Sequence, residues 1–114
     1  MIQLGYFTID TLDVGKARAF YSALFGWTFD EAASGPTYAH VGGSDPAFGF
    51  TKAERPGQFP HLYFRVEDVD ALCQRVTELG GRAAIPSASA TGRSVVVSDD
   101  QGVSFSLWQP APGL

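Results

Sequence analysis

Apolar and polar residues alternate along several short stretches of this chain and recur at helical spacing along two longer ones. Residues 2–9 alternate as a strand. Asp13 then stands as a helix N-cap before Val14, Ala17, Tyr21, Leu24 and Phe25, and Gly26 marks the stop, so a helix is expected over 13–25. Short strands are expected at 27–30, 38–41 and 47–52, separated by the turn-forming stretches SGP and GGSDP. The pattern then begins again. A strand is expected at 61–66, a helix at 68–79 halted by Gly80-Gly81, and strands at 82–85, 94–98 and 103–109. The order β-α-β-β-β is therefore written twice, which places the chain in the α+β class.

The two halves superpose at a constant shift of 55 residues, which sets Tyr6 on His61, Asp13 on Asp68, Leu24 on Leu79 and Gly26 on Gly81. The same shift sets Phe50 on Phe105 and Thr51 on Ser106. A period near half the chain length indicates a duplicated supersecondary unit, since a solenoid needs more copies to close its core. The expected organisation is one domain, 1–114, made of a first module over 1–52, a linker over 53–60 and a second module over 61–110.

Successive strand residues point to opposite faces, so the alternation sorts the side chains. One face carries Phe7 and Ile9, Phe48 and Phe50, Leu62, Phe64 and Val66, and Phe105 and Leu107. It is apolar and belongs under the helices. The other carries Tyr6, Thr8 and Asp10, then Ala47, Gly49 and Thr51, then His61, Tyr63 and Arg65, then Ser106 and Trp108. That mixture makes a poor dry core and a good cavity lining. The polar loop PSASATGR suits a mobile segment above such a cavity.

Composition narrows the choices. A net charge of −4 without a basic cluster argues against nucleic acid as a partner. No apolar run is long enough to span a membrane. The start MIQLGYFTID lacks the basic and apolar regions of a signal peptide, so a cytoplasmic protein is expected. Cys73 is the single cysteine, on or beside the apolar helical face of Val69, Leu72, Val76 and Leu79, where it reads as a small packing residue. No phosphate-loop spacing and no nucleophile elbow occur.

The blocks DVGKARAFYSALFGW, HLYFRVEDVDAL…ELGGR and SDDQGVSFSLWQP together resemble the vicinal oxygen chelate superfamily of glyoxalases, bleomycin-resistance proteins and extradiol dioxygenases. The resemblance covers nearly the whole chain. It implies paired βαβββ modules curled into a cup, usually as a homodimer. In the metalloenzymes of that family a divalent ion is held by His and Glu from the first and last strands of each module. Carried over, those positions fall on Tyr6, Thr51, His61 and Ser106, with Thr51 open to a one-residue slip, and only His61 matches the family's ligand types. A lone imidazole cannot supply the three or more ligands such ions need. The resemblance therefore implies a member with no metal and no cofactor.

Two functions lead, beside a third reading as a small dimeric interaction module without a ligand. The first is a bleomycin-resistance-type binding protein that sequesters an aromatic or heterocyclic small molecule on Tyr6, Thr8, Thr51, His61, Tyr63, Ser106 and Trp108. Tyr63 and Trp108 offer stacking area with polar tips, although Trp108 serves equally well as a plug against a partner subunit. The second is an enzyme, either a metal-independent lyase, isomerase or cyclase using His61 or Asp10, or a metalloenzyme with rearranged ligands. His61 is the catalytic candidate in that case, its imidazole suiting a general base, against the plainer role of a hydrogen-bonding wall residue. Asp10 and Arg65 read as contacts to ligand or as a rim ion pair, and His40 as a cavity or a surface residue. Trp27 reads as a packing residue at a module edge.

Overall fold

The computed structural model describes residues 5–57 and 62–114. The chain divides into two compact units, residues 1–57 and 58–114. Both run strand, helix and further strands, with the first strand parallel to the last.

In the first unit, strand β1 (Tyr6–Thr11) leads into helix α1 (Val14–Phe25), followed by β2 (Tyr38–His40) and β3 (Ala47–Lys52). The Asp13 side chain accepts the Lys16 backbone N–H and caps the helix, and Gly26 ends it in the left-handed conformation at φ 73°. The sheet order is β1-β3-β2, with β1 parallel to β3 and β2 antiparallel to it. The parallel pairing is possible because the helix intervenes between the two strands. Helix α1 buries Val14, Ala17, Phe20, Tyr21 and Leu24, which meet the buried Ile9, Phe48 and Phe50 of the sheet. Tyr21 stacks on Phe50 with centroids 4.6 Å apart. Trp27 joins the same cluster, stacked on Tyr21 and edge-on to Phe48.

The strand expected at 27–30 is reduced to one bridge, Phe29 opposite Val41. Asp30 diverts the chain there, because its side chain accepts the Ala32 backbone N–H and starts a short 3-10 turn over Glu31–Ala33. Local side-chain bonding of this kind competes with a strand ladder.

The second unit runs β4 (Tyr63–Arg65), α2 (Val69–Glu78), β5 (Arg82–Ala83), β6 (Ser87–Ser89), β7 (Gly92–Ser98) and β8 (Ser104–Pro110). Its order is β4-β8-β7-β5, with β4 parallel to β8 and β7 antiparallel to β8. The Asp68 side chain caps α2 through the Ala71 backbone N–H. Val69 and Val76 of the helix are buried, as are Val95, Val97, Phe105 and Leu107 of the strands. The loop PSASATGR contains a strand, since β6 forms a hairpin on β7.

The repeat is not perfectly constant. Both helices begin at positions related by the shift of 55, Val14 and Val69. Thr8 pairs with Gly49, however, while its counterpart Tyr63 pairs with Ser106. The last strands are thus related by two residues more than the shift, the extra length falling between α2 and β8. Gly49 corresponds to Ser106 and Thr51 to Trp108, so the equivalence of Thr51 with Ser106 is corrected. A two-residue slip returns every side chain to its original face.

Candidate functional site

In the first unit the mixed face is built by all three strands. Thr8 and Asp10 of β1 oppose Gly49 and Thr51 of β3, and on the other side His40 and Tyr38 of β2 oppose the same two residues. Tyr6, Thr8 and Asp10 are exposed, whereas Thr51, Tyr38 and His40 are half-buried. The Tyr6 hydroxyl hydrogen-bonds the Tyr38 hydroxyl at 2.5 Å, and that oxygen lies 2.6 Å from His40 Nδ1. The Tyr6 and His40 rings are nearly parallel, with an interplanar angle of 13° and centroids 6.2 Å apart. Burial, followed by the neighbouring Tyr6 hydroxyl, pushes the Tyr38 phenol well above its usual range, so it stays protonated and able to donate.

Gly49 makes this arrangement possible. A Cβ at that position would collide with the Tyr38 hydroxyl and approach its ring carbon and the Ala39 carbonyl to 2.5 Å. The Tyr38 ring therefore occupies the space of the missing side chain.

In the second unit a cleft of about 380 Å³ is lined by Tyr63, Ser89, Thr91, Ser94 and Trp108. Strand register explains the membership, because Ser94 pairs with Trp108 across β7 and β8, and Tyr63 stands on β4, the other neighbour of β8. The Trp108 indole N–H donates to the Thr91 carbonyl at 3.1 Å. The Arg65 guanidinium carbon lies 5.7 Å from the Trp108 ring centroid, a cation–π contact, and Arg65 also donates to the Leu114 carbonyl. Ser89 and Thr91 share a hydroxyl contact of 3.1 Å that stiffens the β6–β7 turn. Trp108 is thereby fixed in orientation while Tyr63 is 60% exposed.

The residues expected from the sequence thus separate. Tyr63 and Trp108 meet in the cleft; Tyr6, Thr8 and Thr51 share the mixed face of the first unit. Ser106 lies on the corresponding face of its own unit but is only 1% exposed and does not line the cleft. His61 lies outside the described residues. Sequence reasoning missed Ser89, Thr91 and Ser94, which form the cleft wall, and left Tyr38 unassigned.

A divalent metal at the family's ligand positions is not supported by the donors present. Tyr6 offers a phenol already bonded to Tyr38, and Thr51 and Ser106 offer neutral aliphatic hydroxyls, poor ligands beside carboxylate or imidazole. Shifting the last strands by the two-residue offset substitutes Gly49 or Trp108, which does no better. Among the described residues no three His, Cys, Asp or Glu side chains converge. Cys73 is half-buried, and burial followed by Asp70 pushes its thiol up, which makes it a poor nucleophile.

Among the described residues no helix is long and apolar enough to cross a membrane. Residues 6–108 match the glyoxalase-like domain family. The "Putative glyoxylase CFP32" of Mycobacterium tuberculosis is 36% identical over 103 residues, covering 84% of this chain and 40% of that protein. The anthracycline biosynthesis protein DnrV of Streptomyces peucetius is 28% identical over 125 residues, covering 91% of this chain and 46% of that one. The chain therefore spans less than half the length of these relatives.

Among solved structures, a glyoxalase/bleomycin resistance protein/dioxygenase family enzyme from Burkholderia phytofirmans superposes with a TM-score of 0.78 at 22% identity, covering 93% of this chain and 97% of the other. TnmS3, an antibiotic binding protein from a Streptomyces species, superposes with a TM-score of 0.70 at 26% identity, covering 97% and 98%. Two units that each run strand, helix and further strands, the caps at Asp13 and Asp68 and the match across residues 6–108 lead to one conclusion: the chain belongs to the glyoxalase-like domain family, with the fold of the glyoxalase and bleomycin-resistance proteins.

Proposed function

We propose that this chain is a small-molecule-binding protein of the bleomycin-resistance type, which sequesters an aromatic or heterocyclic ligand without a metal and without a chemical step. It would act as a cytoplasmic homodimer. The observation that carries this reading is the lining of the cleft at Trp108 and Tyr63, two aromatic rings beside three hydroxyls. The cleft is lined by an indole held by a hydrogen bond, an exposed phenol, and the hydroxyls of Ser89, Thr91 and Ser94. Those are the features of a site that stacks a flat molecule and orients it with a few polar contacts. The likeness to an antibiotic binding protein supports the same reading.

The second reading is an enzyme, and it is favoured by the relative named for anthracycline biosynthesis. Native mass spectrometry of protein purified gently from its own host tests the binding reading against a metalloenzyme. The binding reading expects a dimer that retains a small aromatic molecule and no stoichiometric metal. Near-stoichiometric zinc, nickel, manganese or iron with no organic ligand would overturn it.

A further inference from the structure

Tyr6, Tyr38 and His40 form a hydrogen-bonded chain on the mixed face of the first unit. Its inner members are half-buried and its outer hydroxyl, on Tyr6, belongs to a residue that is 50% exposed. His40 Nδ1 is engaged by Tyr38, whose hydroxyl is engaged in turn by Tyr6. Two proton arrangements fit these contacts. With Nδ1 unprotonated, Tyr6 donates to Tyr38 and Tyr38 donates to the imidazole, which leaves Tyr6 with lone pairs facing outward. With a proton on Nδ1, every bond reverses: the imidazole donates to Tyr38, Tyr38 donates to Tyr6, and the Tyr6 proton faces outward.

We propose that Tyr6, Tyr38 and His40 form a recognition site for an acidic oxygen, phenolate or carboxylate, carried on a planar ring. A donor backed by two further donors is polarised by them, and a hydrogen bond to an anionic oxygen is about twice as strong as a neutral one. The raised Tyr38 phenol supports this, because it keeps its proton and cannot itself become the competing anion. The parallel Tyr6 and His40 rings add a flat edge beside the donor. The charged groups around His40 set the limits. Asp30, whose backbone N–H donates to the His40 carbonyl, and Asp10, on the same face, are acidic, while Glu31 of the adjoining turn is paired with Arg18. These acidic neighbours disfavour ligands with more than one negative charge.

This inference concerns a site in the first unit and does not depend on the Trp108 cleft. Its test uses the full chain with two probes, 4-nitrophenol and 2-naphthoate, and the uncharged 2-naphthamide as control. Ring-nitrogen NMR of His40, assigned with His40→Gln, is followed during titration. The expected result is a shift of Nδ1 toward its protonated position with either anionic probe and none with 2-naphthamide. Tyr6→Phe and Tyr38→Phe should each weaken anion binding about 10-fold, the size of a charged hydrogen bond, with the amide unaffected. A response to one probe only assigns the oxygen as phenolate or carboxylate. An unmoved His40 ring with both probes at about 1 mM overturns the proposal, as does unchanged anion affinity in both Phe variants. Trp108→Ala should leave the His40 response intact, so failure here is distinguishable from failure of the cleft.

Discussion

Gly49 shows how one residue can set a site. Its missing side chain leaves the strand surface open where the Tyr38 ring lies, which in turn brings the Tyr38 hydroxyl between Tyr6 and His40. Gly49→Ala would force the ring and the Ala39 carbonyl apart, and overpacking of this kind costs about 1–3 kcal/mol. Urea unfolding should show that loss of stability, together with altered Tyr38 and His40 NMR resonances. Unchanged stability would mean that β2 accommodates the methyl group. Nothing in the sequence marks this glycine as different from those in turns. The alternation shows that Tyr38 and His40 share a face, but which β3 residue they oppose follows only from register.

Elements are where the sequence speaks most clearly, and the reason is chemical. An aspartate just before a run of helical periodicity can accept a first-turn N–H, and both Asp13 and Asp68 do so. Replacing Asp68 by Ala should destabilise the chain by about 1 kcal/mol in thermal unfolding, and Asp68→Asn should recover most of it. Equal stability of Ala and Asn variants would contradict the cap. Strand β6 was hidden because Ser87–Ser89 has no apolar alternation; it is held by backbone pairing to β7. The offset of the last strands was hidden for a related reason. Phe48, Phe50, Phe105 and Leu107 alternate with a period of two, and any slip by two preserves the pattern. Face assignments are unchanged by that slip, which is why the mixed face is legible in the sequence and the equivalence of Thr51 with Trp108 is not. Ser106 stands on the mixed face and at a family ligand position, and its burial, which sequence does not report, keeps it from the cleft.

For the whole molecule, duplication supplies two sheets with one apolar and one mixed face each, and the mixed faces carry different chemistry. The first presents phenols and an imidazole; the second presents an indole, a phenol and hydroxyls. A homodimer is expected because exposed strand edges in short sheets are usually covered. Sedimentation at micromolar concentration should give a dimer, and a monomer throughout would count against that assembly. The central claim, that flat ligands are held at Trp108, is tested most directly by fluorescence titration. The protein should carry Trp27→Phe, so that Trp108 alone reports, and be titrated with a panel of aromatic antibiotics and metabolites. The account predicts saturable quenching by at least one member, and an affinity measured by calorimetry that falls by about 1–3 kcal/mol in Trp108→Ala. A ligand bound equally well by Trp108→Ala, with His61→Ala instead abolishing a measurable turnover, would contradict it and identify the protein as an enzyme.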